Sequence, residues 1–222
     1  MSRLLRIAML THSTNPRGGV VHAMQLSEAL ETLGHEVVLH APDPKGAGFF
    51  RKTACEAIYV PADPAPADMA SMVEQRIADY VRYFESAAAR RFDVFHAHDG
   101  ISGNALATLK ERGLVPAFAR TVHHIDQFKD QRLADLQDRS IDRADVFLTV
   151  SLKWKHVLED RGIASTVVGN GVDVERFAPL WSGQQQALRD RLALPPASIA
   201  VVTSSTGWRT SASTTSPSST TA

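Results

Sequence analysis

The segment Leu5-Arg6-Ile7-Ala8-Met9-Leu10-Thr11, continued by His12-Ser13-Thr14-Asn15-Pro16-Arg17-Gly18-Gly19, decides the fold class. Its first half is a short apolar run with no turn residue inside it, the pattern of a strand buried on both faces. Asn15-Pro16 and Gly18-Gly19 mark the second half as a loop. Beyond it, Ala23, Leu26, Leu30 and Leu33 recur at helical spacing, and Gly34 stands where a helix ends. Glu36 to Ala41 reads as a second strand. Strand, glycine loop, helix and strand in that order open a parallel α/β unit.

The same alternation continues downstream. Ala57 to Val60 reads as a short strand, and Met69, Met72, Val73, Ile77, Tyr80, Val81 and Phe84 mark one core-facing stripe of a long helix that Ala87, Ala88 and Ala89 extend toward Arg91. Asp93 to His98 is the next strand, with Val94, His96 and His98 on one face and Phe95 and Ala97 on the other. Gly100 to Arg112 is a helix stopped by Gly113. Further strands are expected over Pro116 to Val122, Asp145 to Val150 and Thr166 to Val168. A helix carrying Leu133, Leu136, Ile141 and Ala144 falls between the first two of these, and one capped by Ser151 precedes the third. About seven strands with helices between them make an α/β doubly wound parallel sheet, Rossmann-like in class, and ligands bind such sheets at the carboxyl ends of the strands.

Composition narrows the class of partner. Lys plus Arg and Asp plus Glu number 24 each, so no global field attracts nucleic acid or an acidic membrane, although local patches leave peripheral membrane contact open. Cys55 is the single cysteine, which excludes an intramolecular disulfide framework and fits a reducing compartment. No run approaches the roughly 20 apolar residues of a membrane-spanning helix, and the first ten residues lack a signal-type apolar core. A cytoplasmic protein is expected.

Polar residues gather at three strand ends. Gly18 and Gly19 lie between the first strand and helix, where backbone N–H groups hold a phosphate or simply make a turn. The loop lacks G-x-G-x-x-G, which disfavours a nicotinamide or flavin cofactor. His96, His98 and Asp99 end one strand, and His123, His124 and Asp126 follow another. Imidazoles and carboxylates are metal-ligand types, but no H-E-x-x-H or further histidine at a fixed offset accompanies them, so neither metal nor other cofactor is expected. Acyl chemistry has no G-x-S-x-G elbow.

Four matches in order resemble the N-terminal domain of a GT-B glycosyltransferase of the family 4 group, retaining enzymes that use nucleotide-sugar donors. They are Gly18-Gly19-Val20 with its helix and Gly34-His35-Glu36-Val37; Asp93 to Asp99; Thr121-Val122-His123; and Val168-Gly169-Asn170-Gly171-Val172-Asp173 through Pro179. The resemblance implies that Gly18 and Gly19 approach the donor phosphates and that His123 is the catalytic histidine near the transferred sugar. It puts His98 and Asp99 on the cleft wall, with His22 and His124 also on the acceptor side, and Asn170, Gly171 and Asp173 in an interdomain turn. It further implies hexosyl transfer from a nucleotide-sugar donor to a sugar, lipid or small-molecule acceptor. Two rivals stay open: a non-catalytic sugar- or nucleotide-binding α/β module, and a metal-dependent hydrolase built on the histidine clusters.

The chain divides by character into residues 1–180, the α/β domain; 181–202, a linker helix and the first strand of a second domain; and 203–222, a tail in which fourteen of twenty residues are Ser or Thr. A segment this poor in apolar surface does not offset its ordering entropy, so disorder is expected there. The abrupt change after an apolar strand points to a reading-frame change that replaced a donor-binding domain, with an authentic low-complexity linker as the alternative. Asp190 is the last acidic residue, whereas the family's donor site uses an acidic pair in its second domain. The polypeptide is therefore expected to be inactive by itself.

Overall fold

The computed structural model describes residues 3–175, 177–195 and 198–199. These fall into two compact units that meet between Gly171 and Val172. The first contains seven strands, β1 (Arg6–Leu10), β2 (Glu36–Pro42), β3 (Glu56–Val60), β4 (Val94–Ala97), β5 (Ala119–Val122), β6 (Val146–Thr149) and β7 (Thr166–Val167). Five helices alternate with them: α1 (Gly18–Thr32), α2 (Met69–Phe84), α3 (Gly100–Glu111), α4 (Gln131–Asp142) and α5 (Leu152–Glu159). All neighbouring strands are parallel, in the order β3-β2-β1-β4-β5-β6-β7. The chain builds outward from β1 to β3, returns through α2 to the other side of β1, and builds outward again. The point of reversal lies between β1 and β4, and in such sheets the crevice beyond the carboxyl ends of those two strands is where a ligand fits.

Strand alternation produces the two core layers. Ile7 and Met9 of β1 pack with Val37, Leu39 and the α1 residues Val20, Ala23 and Met24 on one side. Ala8 and Leu10 pack with Phe95, Ala97, Tyr80, Phe84, Leu106 and Leu109 on the other, under α2 and α3. Both faces of β1 are covered, which is why its sequence is apolar without alternation. A smaller cluster of Val122, Ile141 and Leu158 seats α4 and α5.

Helix α1 ends as its sequence predicts. Gly34 adopts φ +92°, its N–H bonds to Glu31 O at 2.8 Å and the His35 N–H to Leu30 O at 3.1 Å, a Schellman closure that a side chain at Gly34 would strain. Gly113, at φ +69°, closes α3 in the same left-handed conformation.

Three local expectations are corrected. Helix α2 does not run on to Arg91: Ser86 turns extended, with ψ 127°, and Ala87–Arg90 forms a separate 3₁₀ turn. Arg90 donates to the freed carbonyls of Phe84 and Glu85 at 2.6 and 2.5 Å, so the helix end is satisfied by a side chain instead of another turn. The apolar stripe of α2 also differs, because Met69 is exposed and the buried face includes Arg76 and Asp79 as an ion pair. Ser151 does occupy the N-cap of α5, but its hydroxyl makes no capping bond; the position is set by backbone conformation alone.

In the second unit, α6 (Ser182–Arg191) has no buried residue, and Arg189 donates to Pro195 O and Ser198 O at 2.7 and 2.9 Å. Ser198 and Ile199 have no strand conformation. The remainder of the strand expected to Val202, and the Ser/Thr-rich residues 203–222, lie outside the described residues. Among the described residues, no helix is long and apolar enough to cross a membrane.

Candidate functional site

At the reversal point the sheet opens into a cavity of about 950 Å³. Gly18, Gly19 and His22 of α1 line one side, and His98, Asp99 and Gly100 at the end of β4 line the floor. His123 and His124 follow β5 there, with Asn170 and Gly171 after β7. Nearly all the residues singled out from the sequence thus come together from segments as far apart as the first and last strands. Asp173 belongs to the second unit, where its carboxylate accepts the Glu175 N–H at 3.1 Å.

The backbone around the cavity is held from below. The Tyr80 hydroxyl, fully buried on α2, sits 2.6 Å from Thr11 O and 2.8 Å from His40 O, placing its single proton between the carbonyls that end β1 and β2. That ties the carboxyl ends of both strands to α2 and fixes the place from which the His12 loop departs.

Helix α1 presents its N-terminus to the cavity. It begins at Gly18 after Arg17, no side chain caps it, and no acidic residue lies in its first turn. The first N–H groups and the positive end of the helix dipole are consequently available to an anion. A Cβ at Gly18 would meet nothing within 4 Å, whereas one at Gly19 would lie 3.4 Å from His123 Cδ2 and 3.6 Å from its Nε2. A Cβ at Gly19 would thus just touch the His123 ring, and a larger, branched side chain there would press on it.

Three imidazoles, His22, His98 and His123, line the cavity, and a fourth, His96, lies against His98. The ring centroids of His22 and His123 are 5.0 Å apart, those of His22 and His98 5.5 Å, and those of His96 and His98 4.4 Å. His98 Nδ1 is 3.3 Å from His123 Nε2, and its Nε2 is 2.9 Å from Met9 Sδ. A thioether only accepts, so His98 carries its proton on Nε2 and turns the Nδ1 lone pair toward His123. His96 instead pairs with Thr121 Oγ1 at 2.8 Å, beneath the cavity. Burial lowers all four pKa values: His96 to about 3, His123 to about 4, His98 well below the ordinary 6.5, and His22 below it as well. At pH 7 these four rings are neutral.

Asp99 is the fixed negative charge. Its Oδ1 caps α3 by accepting the Ser102 N–H at 2.8 Å, and its backbone carbonyl accepts from Arg120 Nη1. Its Oδ2 is buried without a hydrogen-bond partner, 3.8 Å from His12 Nδ1. At that distance the pair interacts through charge rather than a hydrogen bond. Burial alone would depress the His12 pKa, but Asp99 outweighs it and the net shift is upward. Burial likewise acts to raise Asp99, and His12, the Ser102 N–H and Arg120 together bring it below the ordinary carboxylate value. Arg120 is itself buried, which brings its pKa down to about 10, still protonated at neutral pH. It passes beside Gly103, where a Cβ would come within 2.8 Å of Nη1.

The remaining wall is apolar, with Val73, Phe128, Leu133 and Leu136. The loop after β5 is pinned by Gln137, which accepts the Asp126 N–H at 2.8 Å and donates to Asp126 O at 2.9 Å. His124 lies at the exposed rim, its side chain 64% exposed and 3.1 Å from Asp126. The histidine and aspartate clusters thus do not converge as wholes: His98 and His123 meet, His22 joins them, and His96, His124 and Asp126 are engaged elsewhere.

Sequence reasoning passed over His12 and Arg120. His12 directly follows the first strand at its carboxyl end, a signal that was available. Arg120 is an arginine within a strand expected to be buried, and a buried guanidinium needs a partner.

Comparison with known proteins agrees with this fold. A family model, Glycosyltransferase Family 4, matches residues 16–176. Among solved structures, the chain is similar to a glycosyltransferase from Rickettsia africae ESF-5, with TM-score 0.59 and 13% identity, covering 88% of this chain and 51% of that one. It is similar to a UDP-N-acetylglucosamine 2-epimerase from Rickettsia bellii, with TM-score 0.53 and 16% identity over 87% of this chain and 52% of that one. The glycotransferase of kitacinnamycin gives TM-score 0.52 and 17% identity over 82% of this chain and 55% of that one. At such identities these likenesses speak for the fold alone, and a transferase and an epimerase share it. The chain spans about half the length of these structures. No curated protein matches the sequence. With an α/β sheet whose strand order reverses at the histidine-floored cavity, and a family model matching well over half its residues, the chain belongs to Glycosyltransferase Family 4.

Proposed function

We propose that this chain supplies the acceptor-side, histidine-bearing half of a retaining glycosyltransferase that moves a hexosyl group from a nucleotide sugar to a sugar, lipid or small-molecule acceptor. The observation that carries the reading is the close approach of Gly19 and His123, where a Cβ on Gly19 would lie 3.4 Å from the ring, at the open N-terminus of α1. Departure of a nucleoside diphosphate builds negative charge on phosphate while the sugar becomes oxocarbenium-like. The uncapped N–H groups at Gly18 and Gly19 answer the first, and the unpartnered carboxylate oxygen of Asp99 supplies negative potential for the second.

His123, with its pKa brought to about 4 by burial, is neutral at pH 7 and acts as a hydrogen-bonding partner of the sugar rather than as a proton donor. His98 holds its ring in place. His22, His124 and the apolar wall face the acceptor, and Asn170 and Gly171 close the cavity, with Asp173 holding the turn that follows. The single, buried cysteine supports a reducing, cytoplasmic setting. We expect binding without turnover from this polypeptide alone.

Amide and ring NMR of the purified chain tests this. Adding a panel of nucleotide sugars is expected to shift the resonances of Gly18, Gly19 and His123, and Gly19→Val, which drives a branched side chain against the His123 ring, is expected to weaken binding about tenfold or more. Shifts that bypass the first turn of α1, or a Gly19→Val variant that binds as well as the parent, would overturn the reading. Sugar transfer above a blank would overturn the expectation of inactivity. Binding that persists without transfer when a donor-binding partner domain is supplied would favour a non-catalytic binding module.

A further inference from the structure

We infer that His22, His98 and His123 form a mononuclear site for a zinc-class divalent cation, with its open coordination position facing the cavity. Each ring offers one nitrogen, and the three nitrogens lie within 4.8 Å of one another. They come from α1, the end of β4 and the loop after β5, so the site exists only in the folded chain.

Three observations point to an ion rather than to packing alone. The 3.3 Å between His98 Nδ1 and His123 Nε2 matches the spacing of two nitrogens on a tetrahedral ion with bonds of about 2.0–2.1 Å, which is about 3.3 Å. Second, Met9 Sδ holds the far nitrogen of His98 in its protonated form and aims the other lone pair inward. That is the part an outer hydrogen-bond partner plays for a metal-binding histidine. Third, His22 Nδ1 is buried with no hydrogen-bond partner on a residue only 5% exposed, and Asp99 Oδ2 is a buried, unpartnered carboxylate oxygen in the same pocket. A cation among these groups gives the unpaired nitrogen a partner and adds to the positive charge facing that carboxylate oxygen.

The chemistry selects the metal. Three imidazoles and no thiolate suit Zn²⁺, Co²⁺, Ni²⁺ or Cu²⁺ and not Mg²⁺ or Ca²⁺, which require oxygen ligands. Three protein nitrogens leave the fourth tetrahedral position for water or a cavity ligand. His124, directly next to His123, is paired with Asp126 and is not among the clustered nitrogens. The inference does not rest on glycosyl transfer. If both hold, the ion occupies the lone pair of His123, so metal and sugar compete for one place.

The test uses the metal-free chain, freed of any purification tag, titrated with Zn²⁺ against a chromophoric chelator and with Co²⁺ by visible absorption. One equivalent of each is expected to bind, cobalt giving the intense d–d bands of a tetrahedral nitrogen-rich site. His22→Ala, His98→Ala and His123→Ala are each expected to weaken binding about 100-fold or more, Met9→Leu about tenfold, and His124→Ala not at all. Circular dichroism confirms that each variant is folded. Should a histidine variant fail to fold, the cobalt spectrum of the parent chain decides. Binding that is not saturable at one equivalent, a six-coordinate cobalt spectrum, or a His124→Ala variant as impaired as His22→Ala would overturn the site.

Discussion

Replacing His40 with asparagine isolates how burying a neutral histidine makes this fold acid-sensitive. His40 lies on β2 with no solvent exposure, its ring 5.1 Å from Phe84, 5.5 Å from Phe92 and 5.9 Å from Tyr83. Nδ1–H donates to Val38 O at 3.0 Å, and Nε2 has no partner. Burial lowers its pKa to about 4, against the favourable pull of the Val38 and Met9 carbonyls and with a small further push from Arg6. Between pH 6.5 and 4 the unfolded chain takes up a proton that the folded one refuses. Stability present above pH 6.5 is therefore lost as the pH falls toward 4 and is constant below it. A fall from 6.5 to about 4, at about 1.4 kcal/mol per pH unit, is worth about 3 kcal/mol. His40→Asn keeps a donor for Val38 O but cannot titrate. At pH 7.5 it is expected to be less stable by about 1–3 kcal/mol through lost ring volume. From there to pH 4.5 the parent is expected to lose about 2–3 kcal/mol more than the variant, measured by urea unfolding at a series of pH values. His22, His96, His98 and His123 titrate in both proteins, so the difference reports His40 alone. Parallel curves would refute the reasoning.

Two further substitutions test how the site is supported. Asp79→Ala leaves Arg76, 4% exposed, without its anion and also removes acceptors for Gln75 and Arg82, so a loss of about 3–5 kcal/mol is expected in urea unfolding at pH 7; a loss below about 1 kcal/mol would show that water reaches the pair. Gly103→Ala sets a methyl group 2.8 Å from Arg120 Nη1 and 3.1 Å from Ser140 Cβ, and is expected to lower Tm with a cost of about 1–3 kcal/mol while moving the Asp99 carbonyl off Arg120; an unchanged Tm would mean that the guanidinium has another place to go.

Much of the architecture was readable along the chain because it rests on local physics. The apolar run at Arg6–Leu10, the helical spacing that ends at Gly34, and the left-handed demand at Gly34 and Gly113 are properties of neighbouring residues, and strands and helices formed where those patterns placed them. Errors arose where a distant or unusual partner overrode the pattern. Alanine-rich Ala87–Ala89 favours continued helix, but Ser86 turns extended and Arg90 folds back to satisfy Phe84 and Glu85. The α2 stripe looked purely apolar, yet part of the buried face is Arg76 and Asp79, whose mutual pairing replaces hydrophobic packing.

By itself the sequence determined the α/β class, the parallel strand run, the glycine opening of α1 and the presence of polar groups at the ends of β1, β4 and β5, because periodicity and turn chemistry act over a few residues. Only the tertiary structure decided which of those groups meet. Strand order put β1 beside β4 and β4 beside β5, which brought His98 and His123 to 3.3 Å and made His22 their neighbour while His124 paired with Asp126. It also set His12 against Asp99 and buried Arg120 next to Gly103. Their protonation states follow from that burial and from charges far away in sequence, and Coulomb and desolvation energies depend on distance in space, which no spacing along the chain contains.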